Sequence, residues 1–263
     1  MRVLDGFHAT FARAGPRHLT AGGAVLVVAP HADDETLGCG GTVAQLCEAG
    51  HTVKVLILSD GTSSHAVQNP EALARMRRDE ARAACAVLGI AEADVHFCNL
   101  PDGRLAECVT DAAEEVVTVV RRDAVGIVFA PHTHDVHDDH EATNRIVVRA
   151  LRDAGRAVTL FEYPVWLYDH WPWVPKAPEH SWRSCLAAMV RLMGCTIRSD
   201  VSATLPKKQR ALNCYSSQMT RPEHDADAAV LADVGGGDFL KRFERAEERF
   251  RMRSFKGARA ADG

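Results

Sequence analysis

The chain has 263 residues, 46% hydrophobic and 25% charged, with a formal net charge of −4. Acids and bases are interspersed, so neither the basic patch of a nucleic-acid binder nor the polybasic face of a membrane-surface protein is present. No apolar run approaches the roughly 18–20 residues of a membrane helix, and the N-terminus lacks the apolar core of a secretory signal.

Residues 24–30 (AVLVVAP) read as a buried strand, and residues 41–50 as a helix stopped by Gly50. Residues 51–61 give the next strand. The stretch NPEALARMRRDEARAACAVLGI is a helix with Pro70 in its first turn and Gly89 past its end. DVHFCNLPDG is a short strand and turn, DAAEEVVTVVRRD a helix, AVGIVFAP a strand, DHEATNRIVVRALRDAG a helix and AVTLFEYPVW a strand. This alternation predicts an α/β, Rossmann-like three-layer sandwich, with a mostly parallel sheet and helices on both faces. The expected organisation is one domain over residues 1–263 with its core at 24–165. Residues 166–255 form a Trp/Pro-rich loop or lid (DHWPWVPKAPEHSW) and a helical part, including LPKKQRALNCYSSQM and FLKRFERAEERFRMRSF. The eight cysteines are scattered without a C-x-x-C pair, which predicts reduced thiols and a cytoplasmic location.

In open parallel sheets, ligands bind at the carboxyl ends of the strands. The first strand runs into Pro30-His31-Ala32-Asp33-Asp34-Glu35 and the fourth into PHTHDVHDDH at residues 131–140. Imidazoles and carboxylates suit Zn²⁺ and similar divalent ions. His31, Asp34 and His140 could supply a His₂Asp set with a position open for water, leaving Asp33 as a base. His137, one turn before His140, could stabilise an oxyanion or protonate a leaving amine as an imidazolium, its ring held by Asp139 or Asp135. His132 and His134 read as loop or supporting histidines. A dinucleotide site is disfavoured: GCGG at residues 38–41 lacks the G-x-G-x-x-G spacing, and the preceding acids would repel a pyrophosphate. Those glycines read as a close-packing device.

At these residues the sequence resembles the PIG-L/LmbE-like family of zinc-dependent N-acetylglucosaminyl deacetylases. The resemblance rests on P-H-A-D-D-E at 30–35, R-R-D-E at 77–80, L-P-D-G at 100–103, H-D-D-H at 137–140 and K-Q-R-A-L-N-C-Y-S-S-Q at 208–218. It implies a Rossmann-like fold, one Zn²⁺ per chain on His31, Asp34 and His140, Asp33 as general base, and His137 as oxyanion and leaving-group histidine oriented by Asp139. Arg77 and Asp102 fall where the family contacts its sugar. The implied reaction is hydrolysis of the N-acetyl group of an N-acetylglucosamine-type sugar or conjugate. Two departures stand out: Asp138 replaces a frequent proline, and Asp135 replaces a tyrosine that in some members helps hold the oxyanion.

The expected partner is thus a small N-acetylated amino sugar or glycoconjugate, with no nucleic acid and no transmembrane segment; homo-oligomerisation stays open. Other divalent transition metals suit the same ligands. An amidase of a thiol-sugar conjugate, a deacylase of longer acyl groups and a non-catalytic metal- or sugar-binding module remain as alternatives. Trp166, Trp171 and Trp173 could each stack on a sugar or cap the core.

Overall fold

A computed structural model describes residues 23–63, 69–170, 173–174, 181–221 and 230–257. In chain order the elements are β1 (Val25–Ala29), α1 (Asp34–Glu48), β2 (Val53–Ser59), α2 (Pro70–Leu88), β3 (Val95–Leu100), α3 (Val109–Arg122), β4 (Ile127–Pro131), α4 (Asp138–Asp153), β5 (Val158–Tyr163), α5 (Trp182–Met193), β6 (Ile197–Asp200), α6 (Leu205–Leu212), α7 (Ser216–Met219) and β7 (Glu247–Phe255).

All five residues of β1 are buried, as an all-apolar strand requires when helices cover both faces of its sheet. Val25, Val27 and Ala29 join one core cluster, with residues of α1, α2 and the C-terminal region. Leu26 and Val28 join the other, with α3 and α4. The strand order is β3-β2-β1-β4-β5-β7-β6. Pairings from β3 through to β5 are parallel, and β7 runs antiparallel to both β5 and β6. The sheet is therefore the mostly parallel α/β layer predicted above. Chain order reverses between β1 and β4, which opens a crevice at their carboxyl ends.

Helix α1 is buried along most of its length. A Cβ on Gly38 would lie 2.2 Å from the Tyr163 ring, and one on Gly41 would lie 2.7 Å from Val201, so GCGG serves close packing. Side chains from the end of the chain enter the middle of this helix. Glu248 on β7 accepts the backbone N–H of Gly41 and Thr42, each at 2.8 Å. Lys208 on α6 donates to Leu37 O at 2.8 Å and to Glu248 at 2.7 Å. Both charges are buried, and each is offset by the other and by backbone groups.

Two expectations for residues 166–255 are corrected. The stretch FLKRFERAEERFRMRSF is not one helix; it is a 3₁₀ turn at Leu240–Arg242 followed by strand β7. Sheet pairing overrides the charge-rich helical pattern. Residues Glu247–Phe255 fill the edge of β5, and Phe250 packs on Phe129 and Phe161 with centroids 5.3 and 6.0 Å apart. Strand β6 has no counterpart in the sequence pattern either, so this region extends the sheet as well as adding helices. All eight cysteines are free. Much of the expected lid, including Trp171, lies outside the described residues.

Candidate active site

The chain leaves β1 through Pro30–Asp33 and enters α1 at Asp34. Asp33 O accepts Thr36 N at 3.0 Å and Leu37 N at 2.8 Å, which starts the helix. Its own backbone sits at φ 123°, ψ −30°, a region rarely adopted by non-glycine residues and a form of strain that clusters at functional sites. At the end of β4, His137 is the N-cap of α4 and His140 lies in that helix's first turn. Val136, just before, is also left-handed at φ 65°. These two strand-to-helix junctions bring histidines and carboxylates to the β1/β4 crevice.

His31 Nδ1 lies 3.2 Å from Asp34 Oδ2, and His140 Nε2 lies 3.2 Å from the same oxygen. One ligand atom from each of the three residues falls within 4.8 Å of the others. His140 Nε2 is buried and, among the described residues, has no hydrogen-bond partner despite that close approach, so the contact has ion-pair range without hydrogen-bond direction. Two imidazole nitrogens and a carboxylate oxygen, one nitrogen otherwise orphaned, fit a divalent ion of the zinc type. Burial works against ionisation of Asp34, but His140 and His31 outweigh it and hold the carboxyl far below its usual range.

The far side of each ring is also fixed. His140 Nδ1 lies 2.8 Å from Asp135 Oδ2. Asp135 is fully buried and accepts the backbone N–H of Val165 at 2.9 Å, and of Trp166 and Leu167 at 3.2 Å. A carboxylate behind a ligand histidine fixes its tautomer and direction. Burial lowers the His140 pKa, but Asp34 and Asp135 outweigh it and raise the pKa to about 9.

His31 Nε2 lies 3.1 Å from Asp102 Oδ1 and 3.2 Å from Asp139 Oδ2. His31, Asp102 and Asp139 also cluster within metal-ligand range. However, Asp139 already accepts Gly103 N at 2.8 Å and Leu105 N at 3.0 Å. It suits a hydrogen-bond acceptor for Nε2–H, which leaves the Nδ1 lone pair facing Asp34 and His140. This corrects the expectation that Asp139 orients His137: the structure sets Asp139 against His31 and the turn after β3. Asp102 accepts Ser63 N at 2.9 Å. Burial raises its pKa, but His31 outweighs that and draws it down to about 2.

A cavity of about 240 Å³ opens over these groups, with His31, Asp33, Asp34, Arg77, Asp102, His137 and Trp166 in its walls. Arg77 and Asp102, expected as sugar contacts, therefore face the same space as Asp33. Arg77 is 4% exposed. Burial raises the Asp33 pKa well above its ordinary value, and Asp34 and Glu35 add to the shift. The His137 ring stacks on Trp166 at 5.7 Å and lies 5.2 Å from His31 and 5.0 Å from His140. Burial, then the charges of His140 and His31, press its pKa down to about 4. It is neutral at pH 7, not the imidazolium expected from the sequence. Trp173 packs on Tyr168 at 6.0 Å, away from the cavity walls. His132 accepts His134 N at its own Nδ1, and neither joins the converging set.

The sequence leaves the role of Asp135 open between holding His137 and departing from a family tyrosine. Its actual contact, His140, is foreshadowed only by the D-x₄-H spacing of residues 135–140. Glu35 reads in sequence as one more acid of the turn. Its Oε2 accepts the backbone N–H of Asp33 at 3.1 Å.

Residues 26–151 match the family model described as PIG-L, GlcNAc-PI de-N-acetylase. The diacetylchitobiose deacetylase of Thermococcus kodakarensis is 32% identical over 137 residues, covering 50% of this chain and 50% of that protein; the chain thus spans about half the length of that relative. The 1D-myo-inositol 2-acetamido-2-deoxy-alpha-D-glucopyranoside deacetylase 2 of Saccharopolyspora erythraea is 28% identical over 248 residues, covering 79% and 88%. Among solved structures, N,N'-diacetylchitobiose deacetylase from Pyrococcus horikoshii aligns with a TM-score of 0.60 at 20% identity, over 88% of this chain and 83% of that one; at that identity the likeness speaks for the fold.

Proposed function

We propose that this protein, whose residues 26–151 match the PIG-L family model, is a metal-dependent hydrolase that removes the N-acetyl group from an N-acetylglucosamine-type sugar or conjugate, giving a free amine and acetate. One observation carries the reading: His31 Nδ1, Asp34 Oδ2 and His140 Nε2 converge on one point, in a cavity that Asp33 also lines.

In this reading His31, Asp34 and His140 would hold one Zn²⁺ or similar ion, which would supply Lewis-acid polarisation of an acetyl carbonyl and lower the pKa of water to roughly 7. Asp33 takes the proton of the attacking water; a dication held by the neighbouring residues would favour its ionised form, against the burial that raises its pKa. Protonated Asp33 then passes the proton to the departing amine, so one carboxyl serves as base and acid. His137, neutral at pH 7, donates a hydrogen bond to the oxyanion. Arg77 and Asp102 bind sugar hydroxyls. The cavity has room for a sugar residue.

The test is a panel of N-acetylglucosamine conjugates, with and without a chelator, followed by free-amine release. Chelator-sensitive acetate release is expected, and longer acyl analogues should be poorer substrates. Release of amine from none of the panel by zinc-loaded protein, or release indifferent to the chelator, would sink the reading.

A further inference from the structure

The proposed base has a backbone that ordinary residues avoid, and its neighbours account for how it is held. Asp33 sits at φ 123°. Its N–H donates to Glu35 Oε2 at 3.1 Å. The other oxygen of Glu35 accepts the Thr36 hydroxyl and the Tyr215 O–H. Glu35 is 1% exposed and Tyr215 fully buried, so water does not complete this carboxylate's hydrogen bonding.

Tyr215 arrives from 180 positions along the chain. The residues after it are tied to the opposite wall. Ser216 Oγ and Ser217 Oγ donate to Glu80 at 2.7 and 2.6 Å, and Ser217 N donates at 2.8 Å. Glu80 lies on α2, one turn beyond Arg77. The short segment 215–217 therefore binds the turn carrying Asp33 and the helix carrying Arg77 together.

We infer that Tyr215 and Glu35 form a positioning relay that holds Asp33 in its left-handed backbone and so sets the aim of its carboxylate. Plain core packing accounts for the Tyr215 ring but not for a hydroxyl directed at a buried carboxylate. A first-turn acid accounts for the charge of Glu35 but not for its clasp on the N–H of the one strained residue in the turn. Without that clasp, Asp33 relaxes toward the helical region, and a rotation there swings its side chain out of the cavity. The relay rests on the reading of Asp33 as the base.

The experiment uses the full chain, zinc-loaded, and its Tyr215→Phe, Glu35→Gln and double variants. Tyr215→Phe should lower kcat by roughly 10–100-fold, as misplacement of a catalytic group does, with KM and zinc stoichiometry unchanged. Glu35→Gln has one accepting oxygen for both arms, so it breaks the path from the Tyr215 hydroxyl to the Asp33 N–H at one end or the other and should lose as much or more. The double variant should fall no further than about twofold below the worse single, because coupled residues are non-additive. A second readout needs no turnover: by NMR, exchange of the Asp33 amide hydrogen should quicken at least about tenfold in both single variants as its protecting hydrogen bond is lost. Should wild type release no acetate, the proposed function fails, while the relay still stands or falls on amide exchange. Unchanged Asp33 exchange in folded Tyr215→Phe, or losses in kcat that simply multiply, would overturn it. If Tyr215→Phe does not fold, Thr36→Val removes the other hydroxyl donor to Glu35 and should give the same pattern at smaller size; no change in Asp33 exchange there overturns the relay equally.

Discussion

Replacing Asp135 by asparagine keeps the shape of the side chain and removes its charge. Asp135 is fully buried and accepts four donors: His140 Nδ1 and the backbone N–H of Val165, Trp166 and Leu167. An amide has one accepting oxygen, so its NH₂ must face at least one donor. That mismatch costs about 1–3 kcal/mol of fold stability. The effect on His140 follows from its pKa, raised from 6.5 to about 9 with Asp34 the larger contributor and Asp135 the next. At 1.36 kcal/mol per unit, the net shift amounts to about 3 kcal/mol, and loss of the Asp135 charge takes away part of what holds it up against burial. Loss of a carboxylate behind a ligand histidine weakens metal binding by roughly 10–100-fold. Asp135→Asn should therefore bind zinc 10–100-fold more weakly in competition with a chromophoric chelator at pH 7.5. Its metal-free form should melt about 2–10 °C lower by calorimetry. Unchanged zinc affinity in a folded Asp135→Asn protein would show that His140 needs no carboxylate behind it, and the account of the ligand set would fail.

Asp33→Asn should retain zinc yet lose roughly 10²–10⁴-fold in acetate release; full activity by a metal-replete variant refutes the base. In the metal-free protein His140 has a folded pKa of about 9 against 6.5. Its protonated form stabilises the fold fully below pH 6.5, and that contribution is lost as pH rises through about 9. Zinc must displace this proton, so calorimetry in buffers of different ionisation enthalpy should show proton release on binding, and affinity should climb between pH 6.5 and 9. Because His137 titrates near 4, the pH profile of kcat should carry no His137 limb near 6.5. His137→Gln, which keeps a neutral donor, should outperform His137→Ala by roughly tenfold; equal rates would remove His137 from the reaction.

Much of this architecture is legible in the chain because its strands are short apolar runs that end abruptly in chemistry. VLVVA followed by PHADDE encodes both a central strand and the cluster at its carboxyl end. His140 follows from the second strand ending by the same logic. What escapes the sequence depends on backbone groups, which residue letters do not display. Asp135 meets His140 because three N–H groups of residues 165–167 fix its carboxylate. Asp139 turns from His137 to His31 because Gly103 and Leu105 present their amides to it. The charge of His137 depends on burial among other histidines, which spacing alone does not give. Strand β7 is hidden because its helical pattern of charges is decided by a partner strand about ninety residues away in sequence: Arg253 and Arg251 reach Glu162 there, at 3.1 and 3.5 Å.

The insertion of Lys208 and Glu248 into α1 bears on any attempt to graft this chemistry elsewhere. The portion that matches the PIG-L family model, residues 26–151, holds His31, Asp34 and His140 of the candidate metal set, and a modular swap would naturally cut at its end. Such a cut removes the carboxylate that accepts the Gly41 and Thr42 amides and the ammonium on Leu37 O, halfway along the helix that presents Asp34. It also exposes the edge of β4 that β5 covers. A transplant of the recognisable half alone would carry the right letters on an unsupported helix. Chimeras between such proteins should instead exchange the cavity rim and keep the distal strand and its charge pair with their own first helix.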